Sequence, residues 1–352
     1  MKELYERIKA GERIGGEDFL RLEREADLHQ LGFLASTVRR RLHPEPVVTY
    51  VVDRNINYTD ICVSACKFCA FFKSPEDAVG SVLSREELLA KISETQDLGG
   101  TQILLQGGLH PDLDLAFYED MLRAMKATGI HIHGFSPPEI HHFAQLFGLS
   151  VRGVLERLKA AGLDSIPGGG AEILCNRVRH ELAPRKCDAD QWIAVMEEAH
   201  HLGLRTTATM MFGHIETVAE RLEHLQRVRD LQDRTGGFTA FIPWPFQPDH
   251  TPLAAARCID KTSAVTYLRL LALSRIFLDN VANVQASWVT QGPKIAQVSL
   301  FFGANDFGST MIEENVVAAA GVHFRLSEAE IRHLVSDAGF QPRQRLMDYT
   351  LV

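Results

Sequence analysis

Cys62-Val63-Ser64-Ala65-Cys66-Lys67-Phe68-Cys69 is the stretch on which the reading of this chain turns. Three thiolates this close in sequence can hold three irons of a four-iron, four-sulfur cluster. The fourth iron is then left without a protein ligand. A cluster with all four irons on cysteine mostly carries electrons, whereas a metal with an open position can bind a substrate or cofactor. The other reading is a structural zinc site, which wants four ligands in paired clusters. The remaining cysteines, Cys175, Cys187 and Cys258, form no second pair, and no pair of histidines follows at finger spacing.

The rest of the composition narrows the class. A chain of 352 residues, 45% hydrophobic and 23% charged, fits one large α/β barrel or two ordinary domains. Its net charge of −8, with no basic run beyond Arg39-Arg40-Arg41, argues against binding a nucleic-acid backbone. The charged start Met1-Lys2-Glu3-Leu4 lacks the apolar core of a signal peptide, and no apolar run approaches membrane-span length. Clustered thiols suit a reducing compartment, so a cytoplasmic protein without a membrane partner is expected.

From about residue 47 onward short β-rich runs alternate with helical ones. Strands are expected at 47–56, 101–106, 131–135, 163–167, 205–212, 238–243, 283–289 and 297–304. Helices are expected near 84–98, 115–128, 150–161, 188–202, 217–235, 263–280 and 327–338. Ser84-x-x-Glu87, Asp188-x-x-Gln191, Thr217-x-x-Glu220 and Ser327-x-x-Glu330 read as capping boxes at helix starts. Glycines such as Gly99 and Gly203 mark helix ends before strands. Strands like Ile103-Leu104-Leu105 are apolar without alternation, the mark of a parallel sheet buried on both faces. Repeated strand–helix units of this kind build a (β/α)8 TIM-type barrel or an open doubly wound sheet. No G-x-G-x-x-G follows the first strand, and polar or glycine-rich motifs recur at strand ends, so the barrel is the expectation. Residues 1–46 read as an N-terminal helical extension packed outside it, and 47–352 as the barrel with a C-terminal helical closure.

Those strand ends carry the chemistry. Phe68 sits inside the cysteine run. Gln106-Gly107-Gly108 offers bare backbone to a ligand or to a tight turn. Ser136-Pro137-Pro138-Glu139 places Ser136 and Glu139 toward the barrel mouth, unless Glu139 only caps a helix. Gly168-Gly169-Gly170-Ala171-Glu172 brings a carboxylate into a loop of close backbone approach; no Gly-Lys-Ser/Thr follows, so it is not a phosphate loop. Met210-Met211-Phe212-Gly213-His214 closes the next strand. Later ends, around Trp244, Thr290-Gln291 and Asn305-Asp306, mix aromatics with hydrogen-bonding groups, as a flat, oxygen-rich organic substrate needs.

The C-x3-C-x2-C run with an aromatic before its last cysteine resembles that of the radical S-adenosylmethionine (SAM) superfamily. Asn57-Tyr58-Thr59, Gly99 to Gly108 and Phe135-Ser136-Pro137-Pro138-Glu139 resemble the menaquinone and deazaflavin branch within it. Ser165 to Leu174, Thr206 to His214, Thr235 to Pro245 and Ala286 to Pro293 look most like the futalosine-pathway cyclases of that branch, and the likeness runs from about residue 40 to 320. The resemblance implies a [4Fe-4S] cluster on Cys62, Cys66 and Cys69, and SAM held by Phe68, Gly107, Gly108, Ser136, Glu172 and Met211. Leu109 departs from the superfamily's "GGE" element, so only the backbone role carries over there, and Thr209 and Met211 depart from its G-x-I-x-G-x-x-E element. It also implies a nucleoside-like substrate met by Thr290, Gln291, Asn305 and Asp306, and an electron donor such as flavodoxin or ferredoxin. The implied reaction is cyclisation of dehypoxanthine futalosine in menaquinone biosynthesis. His214, Glu139 and Asp306 are candidate proton acceptors, with Arg54 or Lys294 facing the substrate carboxylate. Aminofutalosine and deazaflavin (FO) synthases are sister readings; an iron–sulfur electron carrier and a zinc-stabilised module are readings of other classes.

Overall fold

The computed structural model describes residues 1–77 and 79–352. The extended run expected at 47–56 forms two strands in series, β1 (Val47–Val51) and β2 (Asp53–Asn57). β3 (Gln102–Gln106), β4 (His131–Gly134), β5 (Ser165–Ile166), β6 (Arg205–Phe212), β7 (Phe238–Pro245) and β8 (Asn283–Val284) follow. Every pairing from β2 to β8 is parallel and in chain order. β9 (Asp306–Ser309) pairs parallel with β1 and meets the β8 edge through the bridge Gln285–Asp306. The sheet thus curls back on itself in the order expected of a (β/α)8 barrel, with β9 in the eighth position.

The helices between strands begin where the sequence says they should. Ser84, Asp188, Thr217 and Ser327 each accept the N3 backbone N–H while the N3 Glu or Gln reaches back. Gly99 and Gly203 end their helices at φ 79° and 76°, where a Cβ would be strained. Three N-terminal helices, Lys2–Ala10, Gly16–Glu25 and Leu28–Leu42, pack against the outer layer. Leu222, on the helix Val218–Thr235, lies against Gly16, which explains an apolar outer face on that helix.

Two expectations are corrected. Residues 297–304 are not a strand but the end of a helix, Pro293–Ser299, and a 3-10 turn, Leu300–Phe302. Ala296, Ser299 and Leu300 are buried while Val298 and Phe301 are exposed, so one side of a helix is apolar rather than both faces of a strand. The run 283–289 pairs only at Asn283–Val284 and turns helical at Trp288–Gln291. Pro137-Pro138, expected to stop a strand, also opens the helix Pro137–Phe147, since proline at the first helical position removes only an N–H that has no partner there.

The C-terminal strand β10 (Gln341–Gln344) pairs with β1 at the barrel's N-terminal end. Beyond it Arg345, Met347 and Tyr349 turn inward and line the cavity floor.

Candidate active site

The cysteine loop leaves β2 and is tied down by backbone bonds. Gly108 N–H donates to Thr59 O at 2.9 Å, Val63 N–H to Leu109 O at 3.0 Å, Cys62 N–H to Lys73 O at 2.9 Å and Lys67 N–H to Leu182 O at 2.8 Å. A Cβ on Gly108 would stand 2.1 Å from Ile61 O, and one on Gly107 would stand 2.5 Å from the Tyr58 ring. The close approach expected of these glycines is therefore to the protein's own cysteine loop. Cys66 is buried, Cys62 and Cys69 half-buried. Burial pushes the free Cys66 thiol up to about 11, which metal ligation would reverse. Cys62, Cys66 and Cys69 are three thiols on one loop, a donor set that fits an iron–sulfur cluster with one open iron.

Glu139 underlies this loop. Its carboxylate accepts from Tyr58 Oη at 2.7 Å, Gly107 N at 3.1 Å and Ser136 Oγ at 2.6 Å. Burial outweighs these donors and pushes its pKa up to about 7. Both oxygens are engaged and Glu139 does not line the cavity, so its expected place at the barrel mouth is corrected: it braces the Gly107 turn, with Ser136 bound to it. Glu172 lies buried with φ 42°, its carbonyl accepting from Met211 N–H. Its carboxylate meets Lys186 Nζ at 2.8 Å, and Lys186 stands 5.2 Å above the Phe68 ring. Burial alone would raise the Glu172 pKa, but the Lys186 charge brings it below the ordinary value. Lys186 was missed in the sequence because it lies in an irregular stretch between helices, without a strand-end signal.

Inside the barrel is a cavity of about 280 Å³. Trp244 and Trp288 supply aromatic wall, and Asn55, Gln102, Gln106, Thr209 and Thr290 supply hydrogen-bonding groups. Asn55 Oδ1 and Gln102 Oε1 are buried without a partner, a costly state that a polar ligand group would relieve. The cavity reaches Gln106, the residue before the glycine pair.

Other expected site residues lie elsewhere. Asp306 is fully buried in an ion pair with Arg345 and accepts from Thr49 Oγ1 at 2.6 Å and Gly308 N at 2.8 Å, closing the barrel floor. Asn305 bonds Arg275, Val284 N and Asn283. Neither lines the cavity, because Asn305 is bonded to β8 and Asp306 to Thr49 of β1 and to Arg345. The His214 side chain is fully covered: Nε2 meets Met211 O at 3.0 Å and Nδ1 accepts from Ile215 N at 2.7 Å. Glu216 also stands 3.0 Å from that Nδ1. Thr290 lines the cavity, and Gln291 borders an outer pocket beside it. Arg54 pairs with Glu94 at 2.9 Å on the outer side of the sheet, and Lys294 is exposed, so neither faces the cavity.

The sequence pattern of the radical SAM superfamily matches residues 56–228, and that of the CofH/MqnC C-terminal region matches 235–352. The chain is 45% identical over 351 residues to cyclic dehypoxanthine futalosine synthase of Halalkalibacterium halodurans, covering 99% of this chain and 94% of the relative. This protein belongs to the radical SAM superfamily. Aminodeoxyfutalosine synthase of Thermus thermophilus is a weaker relative, 41% identical over 350 residues, with 97% and 93% covered. Among solved structures, methylornithine synthase (PylB) shares the fold with a TM-score of 0.76 at 16% identity, over 96% of this chain and 97% of that one. The chain is thus an enzyme of a family that works with a [4Fe-4S] cluster and SAM. No helix among the described residues is long and apolar enough to cross a membrane.

Proposed function

We propose that this radical SAM enzyme cyclises dehypoxanthine futalosine to cyclic dehypoxanthine futalosine, a menaquinone precursor. The observation that carries the reading is the near full-length match to a synthase of that name, 45% identical. The cavity supports it: two tryptophans and a set of amides in an enclosed barrel suit a substrate with an aromatic ring and a ribose.

Cys62, Cys66 and Cys69 hold the cluster, and Glu172, Phe68 and the Gly107–Gly108 backbone would hold SAM; Ser136 supports the Gly107 turn through Glu139, and Met211 N–H holds Glu172 O. When bound, cluster and SAM supply a 5′-deoxyadenosyl radical that removes hydrogen from the ribose C4′. The chain's own residues do the rest. Trp244 and Trp288 hold the ring against the ribose so that the C4′ radical adds to it, a matter of near-attack geometry. Asn55 and Gln102 take hydrogen bonds from substrate donors. The floor built from Arg345, Met347 and Tyr349 keeps water and competing hydrogen donors out. A flavodoxin or ferredoxin would serve as electron donor.

The test is anaerobic. The reconstituted, reduced protein is given SAM and dehypoxanthine futalosine, and mass spectrometry seeks 5′-deoxyadenosine and a product lighter by two hydrogens. Both together support the reading. Turnover only with the enolpyruvyl substrate of aminofutalosine synthase would replace it.

A further inference from the structure

His133 and His131 stand two residues apart on β4, and Ser165 of β5 sits between their rings. His133 Nδ1 is 2.8 Å from Ser165 Oγ, and His131 Nε2 is 2.7 Å from the same oxygen. His133 is buried and lines the barrel cavity, and His131 is half-buried toward the N-terminal end of the strands. There it lies near Asp164 and the exposed Asp348. The register explains the trio: His133 pairs across the sheet with Ser165, and residues two apart on a strand share a face.

A hydroxyl between two imidazoles can accept from one while donating to the other, and in that arrangement the three groups form a continuous proton path. No hydrogen bond to a described protein group occupies His133 Nε2, the nitrogen that remains. Burial, with the charges of His131 and Arg345 behind it, holds the His133 pKa well below the ordinary histidine value, so the resting ring is neutral and a proton it takes must be passed on, which the Ser165 contact allows. Burial likewise lowers that of His131. Of the carboxylates at the barrel wall, Asp53 is bonded to Ser309 and Gln102, Asp306 to Arg345, and Glu314 to the amides of residues 316–318.

We propose that His133 takes the proton released after ring closure and that Ser165 and His131 relay it to solvent at the barrel floor. This rests on the cyclisation reading above. The cyclised radical carries a C–H bond on the attacked ring carbon. That bond breaks, its proton goes to His133 Nε2, one electron leaves to an acceptor of the iron–sulfur class, and the remaining electron restores the aromatic ring. His133 Nδ1–H then passes a proton to Ser165 Oγ, the serine proton moves to His131 Nε2, and His131 Nδ1–H is lost to water. General base catalysis of this kind is worth about 100-fold or more.

The experiment compares wild type with His133→Gln, His133→Asn, Ser165→Ala and His131→Gln as cluster-loaded, reduced proteins. Each is given SAM and dehypoxanthine futalosine, and cyclic product is counted per 5′-deoxyadenosine. The His133 variants are expected to keep cleaving SAM, which reports an intact fold, while the product ratio falls by about 100-fold and the substrate radical is quenched or accumulates in the electron paramagnetic resonance spectrum. Ser165→Ala and His131→Gln are expected to give a first turnover followed by slower ones. An unchanged ratio in either His133 variant overturns the proposal. A second readout needs no turnover: in 15N-histidine-labelled protein, Ser165→Ala should shift both ring resonances together, and independent rings would overturn the relay. If wild type cleaves SAM but never cyclises this substrate, the cyclisation reading fails instead, while the ring resonances still report on the trio.

Discussion

Replacing Glu139 by glutamine isolates one buried ionisation. The carboxyl has an ordinary pKa of 4.5 and one of about 7 in the fold, because burial outweighs the hydrogen bonds from Ser136, Tyr58 and Gly107. The folded state therefore holds this proton more tightly than the unfolded chain. The group's contribution to stability is fully present below about pH 4.5 and is lost as pH rises through about 7. At about 1.4 kcal/mol per pH unit the whole effect is about 3 kcal/mol. Between about pH 5.5 and 8.5 roughly 2 kcal/mol of it is expressed. Unfolding entropy of about 2 cal/mol/K per residue over 352 residues turns that into about 3 °C in Tm. Glutamine keeps an oxygen for Tyr58 and Gly107 and can accept from Ser136 only by exchanging its amide, so its own Tm offset is constant with pH. Thermal melts of both proteins across that range should show wild type losing about 3 °C relative to Glu139→Gln toward alkaline pH. A difference that stays constant across the range would mean Glu139 is not the buried, raised carboxyl described here.

Alanine at Cys62, Cys66 or Cys69 should abolish 5′-deoxyadenosine formation and lower bound iron, both measured on the anaerobically reconstituted protein. Gly108→Ala puts a methyl group 2.1 Å from Ile61 O, so the cysteine loop must shift, and iron incorporation should fall sharply while far-ultraviolet circular dichroism stays near wild type. Lys186→Met leaves the buried Glu172 carboxylate unpaired and should cost about 3–5 kcal/mol in urea unfolding, with much of it returned in the double variant that also carries Glu172→Gln. Asp306→Asn breaks the buried pair with Arg345 and should cost a similar amount, about 3–5 kcal/mol. The product ratio per deoxyadenosine should not change in that variant, since Asp306 lies outside the cavity.

Local chemistry wrote much of this protein into its sequence. A capping box acts within four residues, so Ser84, Asp188, Thr217 and Ser327 announced their helices without any knowledge of the fold. The cysteine run and the glycine pair were legible for the same reason, and with the apolar unalternating strands they pointed to a parallel barrel. What the residues at the strand ends do was decided by tertiary structure. Asp306, Asn305 and His214 read as site residues because they are polar and follow strands. Each instead meets a partner distant in sequence or a local backbone group, Arg345, Arg275 and Met211 O respectively, that satisfies it inside the wall. Lys186 reaches Glu172 from an irregular stretch, and His133 reaches Ser165 across the sheet, pairings set by packing and register rather than by spacing. A side chain's type is local information; whether it is spent on the protein or left free for a ligand depends on which distant group the closed barrel places beside it.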